Sequence, residues 1–296
     1  MKVGRLEIAD ENLAAGIAAL SNMREQYEKM PSVGERFLVP REEGKLPVPV
    51  LIYRPKEQGN GKLPVLFHMH GGAWVAGDAI LLESFCQLLA DRIPAVVVNI
   101  NYHKADVIPI SEMSKEACDC VTYFAAHGDE FGIDADRMAI GGHSAGANLA
   151  AGTVLRLMEK GISMKLQMLD YPCLDLRFGA NGDELDAAVG GLVLEDDPAD
   201  IHLSPLAAAD ETLAGVCPAM IIACGPDELR PHAISYAKRL IENDVDVYFR
   251  EYPKAEHGFV EVNRPEAAGD ERNNEEQAVY ARDCEEWMIK VFQMAL

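Results

Sequence analysis

The stretch Met138-Ala-Ile-Gly-Gly-His-Ser-Ala-Gly-Ala-Asn-Leu-Ala150 limits what this chain can fold into more than any other. Arg137 to Gly141 reads as a short buried strand, and Ala145 to about Met158 reads as a helix. Between them stands Gly142-His-Ser-Ala-Gly146, a G-x-S-x-G. A chain that leaves a strand and enters a helix across one residue must turn sharply at Ser144. Strained backbone angles there project the hydroxyl clear of the sheet. The residues two before and two after the serine face each other across the turn, so only a hydrogen side chain fits at Gly142 and Gly146. The helix that follows aims its first N–H groups and positive dipole end back at the serine. A glycine-rich turn that holds a structural serine, or binds a phosphate, would share these letters. The flanking strand and helix favour a nucleophile.

The rest of the chain alternates around this unit. Asp10 to Met30 reads as an amphipathic helix, with Asp10 as its cap and Leu13, Ile17, Leu20 and Tyr27 on one face. Phe37 to Val39 and Val48 to Tyr53 read as an antiparallel pair at a sheet edge, where Pro47 and Pro49 are tolerated. Strands are then expected at Pro64–His70, Ala95–Asn101, Arg137–Gly141, Met164–Leu169, Pro218–Cys224 and Asp246–Tyr252. Helices fall between them at Ala79–Asp91, Ser111–His127, Ala145–Met158 and Pro231–Asn243, and a last one runs from about Asn274 to Phe292. Alternation of this kind predicts an α/β fold: one mostly parallel sheet of about eight strands, with helices on both faces. All 296 residues form one domain in this reading, and 49% hydrophobic residues supply its core. One segment breaks the rhythm. Residues 174–204 are rich in Gly and Asp and too long for an ordinary crossover. With residues 1–34 they are expected to form a small cap over the strand ends.

Charge and cysteine content remove several classes of function. The net charge of −21 argues against nucleic acid and anionic membrane surfaces as partners. No apolar run has the length of a membrane span. Seven cysteines without a C-x-x-C pair read as reduced thiols, and no secretory leader is visible, so a cytoplasmic location is expected. His68 and His70 share a strand face but lack a third ligand, so no metal or cofactor is expected.

A serine attacks an ester only with a base to take its proton and an acid to orient that base. In the strand–turn–helix architecture the order along the chain is Ser, then Asp or Glu, then His, in loops at strand carboxyl ends. Asp227 follows one late strand and His257 the next. Asp227 could instead cap the next helix, with Glu228 as the competing carboxylate, and His257 could be an ordinary loop histidine. Their order after successive strands favours the triad Ser144, Asp227, His257. His143 adjoins the serine, but neighbours at a sharp turn point apart, so it is not the expected base. It is placed on the floor of the site, as a candidate for what distinguishes the substrate. The tetrahedral intermediate needs N–H donors. Gly71, Gly72 and Ala73 follow the strand that ends at His70 and, with Ala145, are the expected oxyanion donors. His70 is expected to brace that loop through its ring.

His70-Gly-Gly-Ala-Trp74, Gly142-His-Ser-Ala-Gly146, Gly225-Pro-Asp-Glu-Leu-Arg230 and His257-Gly-Phe259, in that order, resemble the hormone-sensitive-lipase-like branch of the α/β-hydrolases, which are carboxylesterases. Asn101-Tyr102, Phe131–Arg137, Asp170-Tyr-Pro172 and Ser204-Pro-Leu206 extend the resemblance, which spans roughly residues 64 to 260. It implies Ser144 as nucleophile, His257 as base and Asp227 as its orienting acid. The chain departs from the family pattern in three places. Ala73 stands where a third glycine is usual, His143 where an acidic residue is usual, and His103-Lys-Ala-Asp-Val107 where Arg-Leu-Ala-Pro-Glu is common. The expected activity is hydrolysis of small-molecule carboxylic esters, with a short acyl chain because the cap is short. An arylformamidase-like hydrolysis of an N-formyl amide is the alternative activity. A non-catalytic small-molecule receptor on the same fold is the alternative class, although such receptors typically lose a triad member. A homodimer bordered by the acidic segment Glu261 to Glu286 is a further possibility.

Overall fold

The computed structural model describes residues 2–8, 11–57, 59, 61–177 and 196–296. The expected cap at Asp10 and most of the 174–204 segment lie outside the described residues. An eight-stranded sheet runs through the molecule in the order β10-β9-β8-β7-β5-β6-β4-β3. Its members are β3 (Glu35–Val39), β4 (Val48–Tyr53), β5 (Leu63–Met69), β6 (Val96–Ile100), β7 (Ile133–His143), β8 (Leu166–Asp170), β9 (Ala219–Cys224) and β10 (Val247–Tyr252). β3 pairs antiparallel with β4, and β4 antiparallel with β6; every other pairing is parallel. Two short strands, β1 (Lys2–Val3) and β2 (Leu6–Glu7), form a separate antiparallel hairpin. Strands of two residues carry no period to read, so sequence reasoning missed them; Val3, Leu6 and Ile8 are nevertheless buried.

Central strands are apolar on both sides because both faces are covered. On one face Val65, Phe67 and Met69 of β5 share a core with α3 (Ile110–Ala126), α5 (Ala145–Glu159) and α7 (Arg230–Glu242), which α1 (Glu11–Lys29) joins through Ala14 and Ile17. The short helices α4 (Gly128–Phe131) and α6 (Asp210–Leu213) lie between these elements in the chain. On the other face Leu66, Val97 and Ala139 pack with α2 (Glu83–Arg92), α8 (Phe259–Val262) and α9 (Glu275–Ala295). The long helices begin and end within a few residues of the sequence expectation. β7 is longer than expected at its start, because Ile133 pairs with Leu63 across a register shift in β5. Among the described residues no helix is long and apolar enough to cross a membrane.

The strand order sets the position of the site. From β5 the chain moves to β6 on one side and returns to β7 on the other. That reversal opens a crevice at the carboxyl ends of β5 and β7, where ligands bind in open α/β sheets. The loop after β5 begins at His70 and the turn after β7 is Ser144, so both border this crevice.

Candidate active site

Ser144 has φ 52° and ψ −116°, a conformation that side chains rarely adopt. Its N–H donates to the Asp170 carbonyl at 2.9 Å, and its own carbonyl accepts from Asn148 N–H at 3.1 Å as α5 begins. The turn is tight enough to exclude a β-carbon two residues before and two after the serine. One built on Gly142 would lie 2.5 Å from the Gly146 backbone, and one on Gly146 would lie 2.3 Å from the Met69 carbonyl oxygen.

Two later loops meet the serine hydroxyl. His257 Nε2 lies 2.8 Å from Ser144 Oγ, and His257 Nδ1 lies 2.7 Å from Asp227 Oδ2. An ionised carboxylate only accepts, so Nδ1 carries the proton and Nε2 is left to accept from the serine. Asp227 also accepts the Leu229 N–H at Oδ1, 2.9 Å away. The turn that leads into α7 and the imidazole are thus held by different oxygens of one side chain. Glu228 is exposed on the wall of the cavity, and its carboxylate takes no part in this line.

The cavity above Ser144 encloses about 930 Å³. Leu20 of α1 and Trp74 supply part of its apolar wall, and Glu228, Glu266, Asp270 and Arg272 bring charge to it. α1 is tied down by Arg24, whose guanidinium donates to both oxygens of Asp106 (2.7 and 3.0 Å) and to the Val75 carbonyl (3.2 Å).

Gly72 and Ala73 line the same cavity. Gly72 has φ 118° and Ala73 φ 48°, so the alanine takes up the left-handed conformation that the usual third glycine would enter freely. Among the described residues no acceptor meets the Gly72 or Ala73 N–H. Ala145 is the first residue of α5, where an N–H has no acceptor within the helix. Gly71 differs from the expectation. Its N–H donates to Glu261 Oε1 at 2.8 Å and is not free for an oxyanion.

His70 braces the loop as expected, with Nδ1 donating to the Gly71 carbonyl at 2.6 Å. Its other nitrogen, Nε2, lies 3.1 Å from Lys104 Nζ. Burial, with the Lys104 charge beside it, holds the His70 imidazole well below its ordinary range, so the ring is neutral. Burial also lowers the Lys104 amine to about 7.

His143 corrects a second expectation. It is fully buried and absent from the cavity wall, so it does not select substrate by contact. Its Nδ1 lies 2.7 Å from Asp170 Oδ2 and 3.2 Å from the Tyr171 hydroxyl. Desolvation drives the imidazole down to about 4 and the Asp170 carboxyl up. His68 turns to Asn99, 3.0 Å away.

Against this geometry stand the known proteins. A sequence profile described as alpha/beta hydrolase fold matches residues 66–261. The carboxylic ester hydrolase LipN of Mycobacterium tuberculosis is 32% identical over 274 residues, covering 83% of this chain and 70% of its own. Among solved structures, an ester hydrolase from the metagenome of Lake Arreo superposes with a TM-score of 0.76 at 27% identity, covering 95% of this chain and 90% of its own. The esterase of the archaeon Pyrobaculum calidifontis gives 0.76 at 25% identity, covering 96% and 92%. The chain belongs to the hormone-sensitive-lipase-like family of α/β-hydrolases.

Proposed function

We propose that the protein is a carboxylic ester hydrolase in which Ser144 attacks, His257 moves the proton and Asp227 orients the imidazole. The observation that carries this reading is the unbroken line from Ser144 Oγ through His257 to Asp227, at 2.8 and 2.7 Å. The ester as substrate is supported by the relatives, which are named as carboxylic ester hydrolases and esterases. As Oγ attacks the carbonyl carbon, its proton passes to His257 Nε2. The carbonyl oxygen becomes an oxyanion and takes up the N–H groups of Gly72, Ala73 and Ala145. Asp227 stabilises the imidazolium so formed. Nε2 then returns the proton to the departing alcohol, leaving acyl-Ser144. Water repeats the cycle: Nε2 takes its proton, hydroxide adds to the acyl carbon, and the carboxylic acid leaves as Ser144 recovers its hydrogen.

The preferred acyl chain is short. Glu228, Glu266, Asp270 and Arg272 bring charge to the wall of the cavity, and a long hydrocarbon leaving past them would desolvate these groups. Butyrate esters should turn over faster than laurate esters, and the reverse order would sink the short-chain reading. For the nucleophile itself, a fluorophosphonate should add one label per chain, located on Ser144 by peptide mass. A label elsewhere, or none, would overturn the assignment.

A further inference from the structure

Gly71 is held from two sides by groups that the catalytic line does not use. On the N–H side is Glu261, on α8 four residues after His257. One of its oxygens accepts from Gly71 N–H at 2.8 Å, and the other lies 3.4 Å from the Tyr171 hydroxyl. The Tyr171 oxygen in turn is 3.2 Å from His143, which leans on Asp170. On the carbonyl side is His70. The Gly71 oxygen can only accept, so His70 Nδ1 carries the proton, and in a neutral ring Nε2 must then accept. The Lys104 amine, at 3.1 Å, is that donor, and it also reaches Asn101 Oδ1 (3.2 Å) and the Tyr102 carbonyl (2.5 Å). The Tyr102 hydroxyl adds a bond to the His70 carbonyl at 3.0 Å.

The consequence follows from peptide geometry. In a trans peptide the carbonyl and the next N–H point in opposite directions. Turning the Gly71 carbonyl to His70 therefore aims the Gly72 N–H away from His70. The positive φ of Gly72 and Ala73 continues the turn along the cavity wall. We propose that Glu261 is a positioning residue for the oxyanion hole. By holding Gly71 N–H, against the pull of the Lys104-backed His70 on the same residue's carbonyl, it orients the Gly72 and Ala73 donors. Gly71 is the clamped residue and not a donor. This proposal gives His143 a role as well: with Tyr171 and Asp170 it backs the Glu261 carboxylate.

The proposal rests on the serine-esterase reading, and the test separates the two. Wild type, Glu261→Leu, Glu261→Gln, Lys104→Met and Ser144→Ala are compared on p-nitrophenyl butyrate, with rates normalised to fluorophosphonate-titrated sites in the chains that keep Ser144 and to protein concentration in Ser144→Ala. Binding of a trifluoromethyl ketone, whose adduct with the serine carries an oxyanion, is measured in parallel. Glu261→Leu should lower kcat by about tenfold to a hundredfold, less than the ~10²–10³ for losing a donor outright. KM should stay within about threefold, and ketone affinity should fall in step with kcat, because only the transition state meets the oxyanion donors. Glu261→Gln still offers an oxygen to Gly71 N–H and should recover most of the lost rate. Wild-type kcat in Glu261→Leu, a loss confined to KM, or no recovery in Glu261→Gln would overturn the proposal. If Glu261→Leu does not fold, Lys104→Met loosens the same clamp from the carbonyl side. It should show the same split between kcat and KM, and a wild-type kcat there would overturn the proposal. Full activity in Ser144→Ala would instead remove the underlying reading.

Discussion

At the scale of single residues, the site depends on backbone conformations that most side chains resist. Ser144 and Ala73 both carry positive φ, and the surrounding packing must hold them there. For Ser144 that packing is backbone against backbone, which is why Gly146 tolerates no substituent. Its missing β-carbon would lie 2.3 Å from the Met69 carbonyl and 2.4 Å from that of His70. Neither atom can swing aside as a flexible side chain would. Gly146→Ala should therefore cost about 1–3 kcal/mol of stability through overpacking. It should lower kcat by about a hundredfold or more, since a 1 Å misplacement of reacting groups costs on that order. Thermal unfolding and ester kinetics on the purified variant check both, and wild-type values would show that the turn is looser than these distances require. The glycine pair was legible in the sequence because the constraint is local, two residues either side of the serine. Glu261 was not legible. Its partner is Gly71, 190 positions away, and no spacing along the chain announces that bond.

At the scale of elements, the segment after β6 does unusual work for an irregular stretch. The His103 N–H and Nδ1 meet the buried Glu116 carboxylate at 2.9 and 2.8 Å, fixing this segment to α3. Lys104 is thereby held inside the protein, 3% exposed, facing His70, Asp78, Arg24, Asp106 and Glu116. This is the place where the chain departs from the family's Arg-Leu-Ala-Pro-Glu. The departure was visible in the sequence, but its meaning was not, because it lies in the contact of Lys104 with His70 in the loop after β5. Its energetic consequence has a definite sign. Burial lowers the amine to about 7, while the unfolded chain keeps it near the ordinary lysine value of about 10.4. Between these values the unfolded state binds more protons, so the lysine's contribution to stability rises with pH across that window and its cost is largest below about 7. Lys104→Met removes the titration. The melting temperature of Lys104→Met minus that of wild type should be higher at pH 6 than at pH 10, by on the order of 5 °C. A difference independent of pH would mean that the lysine does not titrate between these limits. The period of the long helices and the runs of β-branched residues in the strands made the elements readable. The two-residue strands β1 and β2 gave no such signal.

At the scale of the whole molecule, four loops far apart in sequence converge because each follows a strand of one sheet. Gly72 and Ala73 follow β5, Ser144 follows β7, Asp227 follows β9 and His257 follows β10. The alternation of strands and helices made the sheet legible, and the order Ser, Asp, His along the chain made its candidate site legible. What the sequence could not show was how the loops grip one another once assembled. Gly71 was expected to donate to an oxyanion and His143 to meet substrate. The first is engaged by Glu261, and the second lies buried beneath the site. Both differences arise from contacts that exist only after β5, β7, β8 and the segment following β10 have come together. The central claim is that this convergence makes Ser144 a nucleophile. It is tested most directly by the rate of p-nitrophenyl acetate hydrolysis in Ser144→Ala, with folding verified by an unchanged melting profile. The expected result is a loss of about 10⁶ in kcat, the scale seen when a triad serine is removed. Hydrolysis close to the wild-type rate would contradict the account.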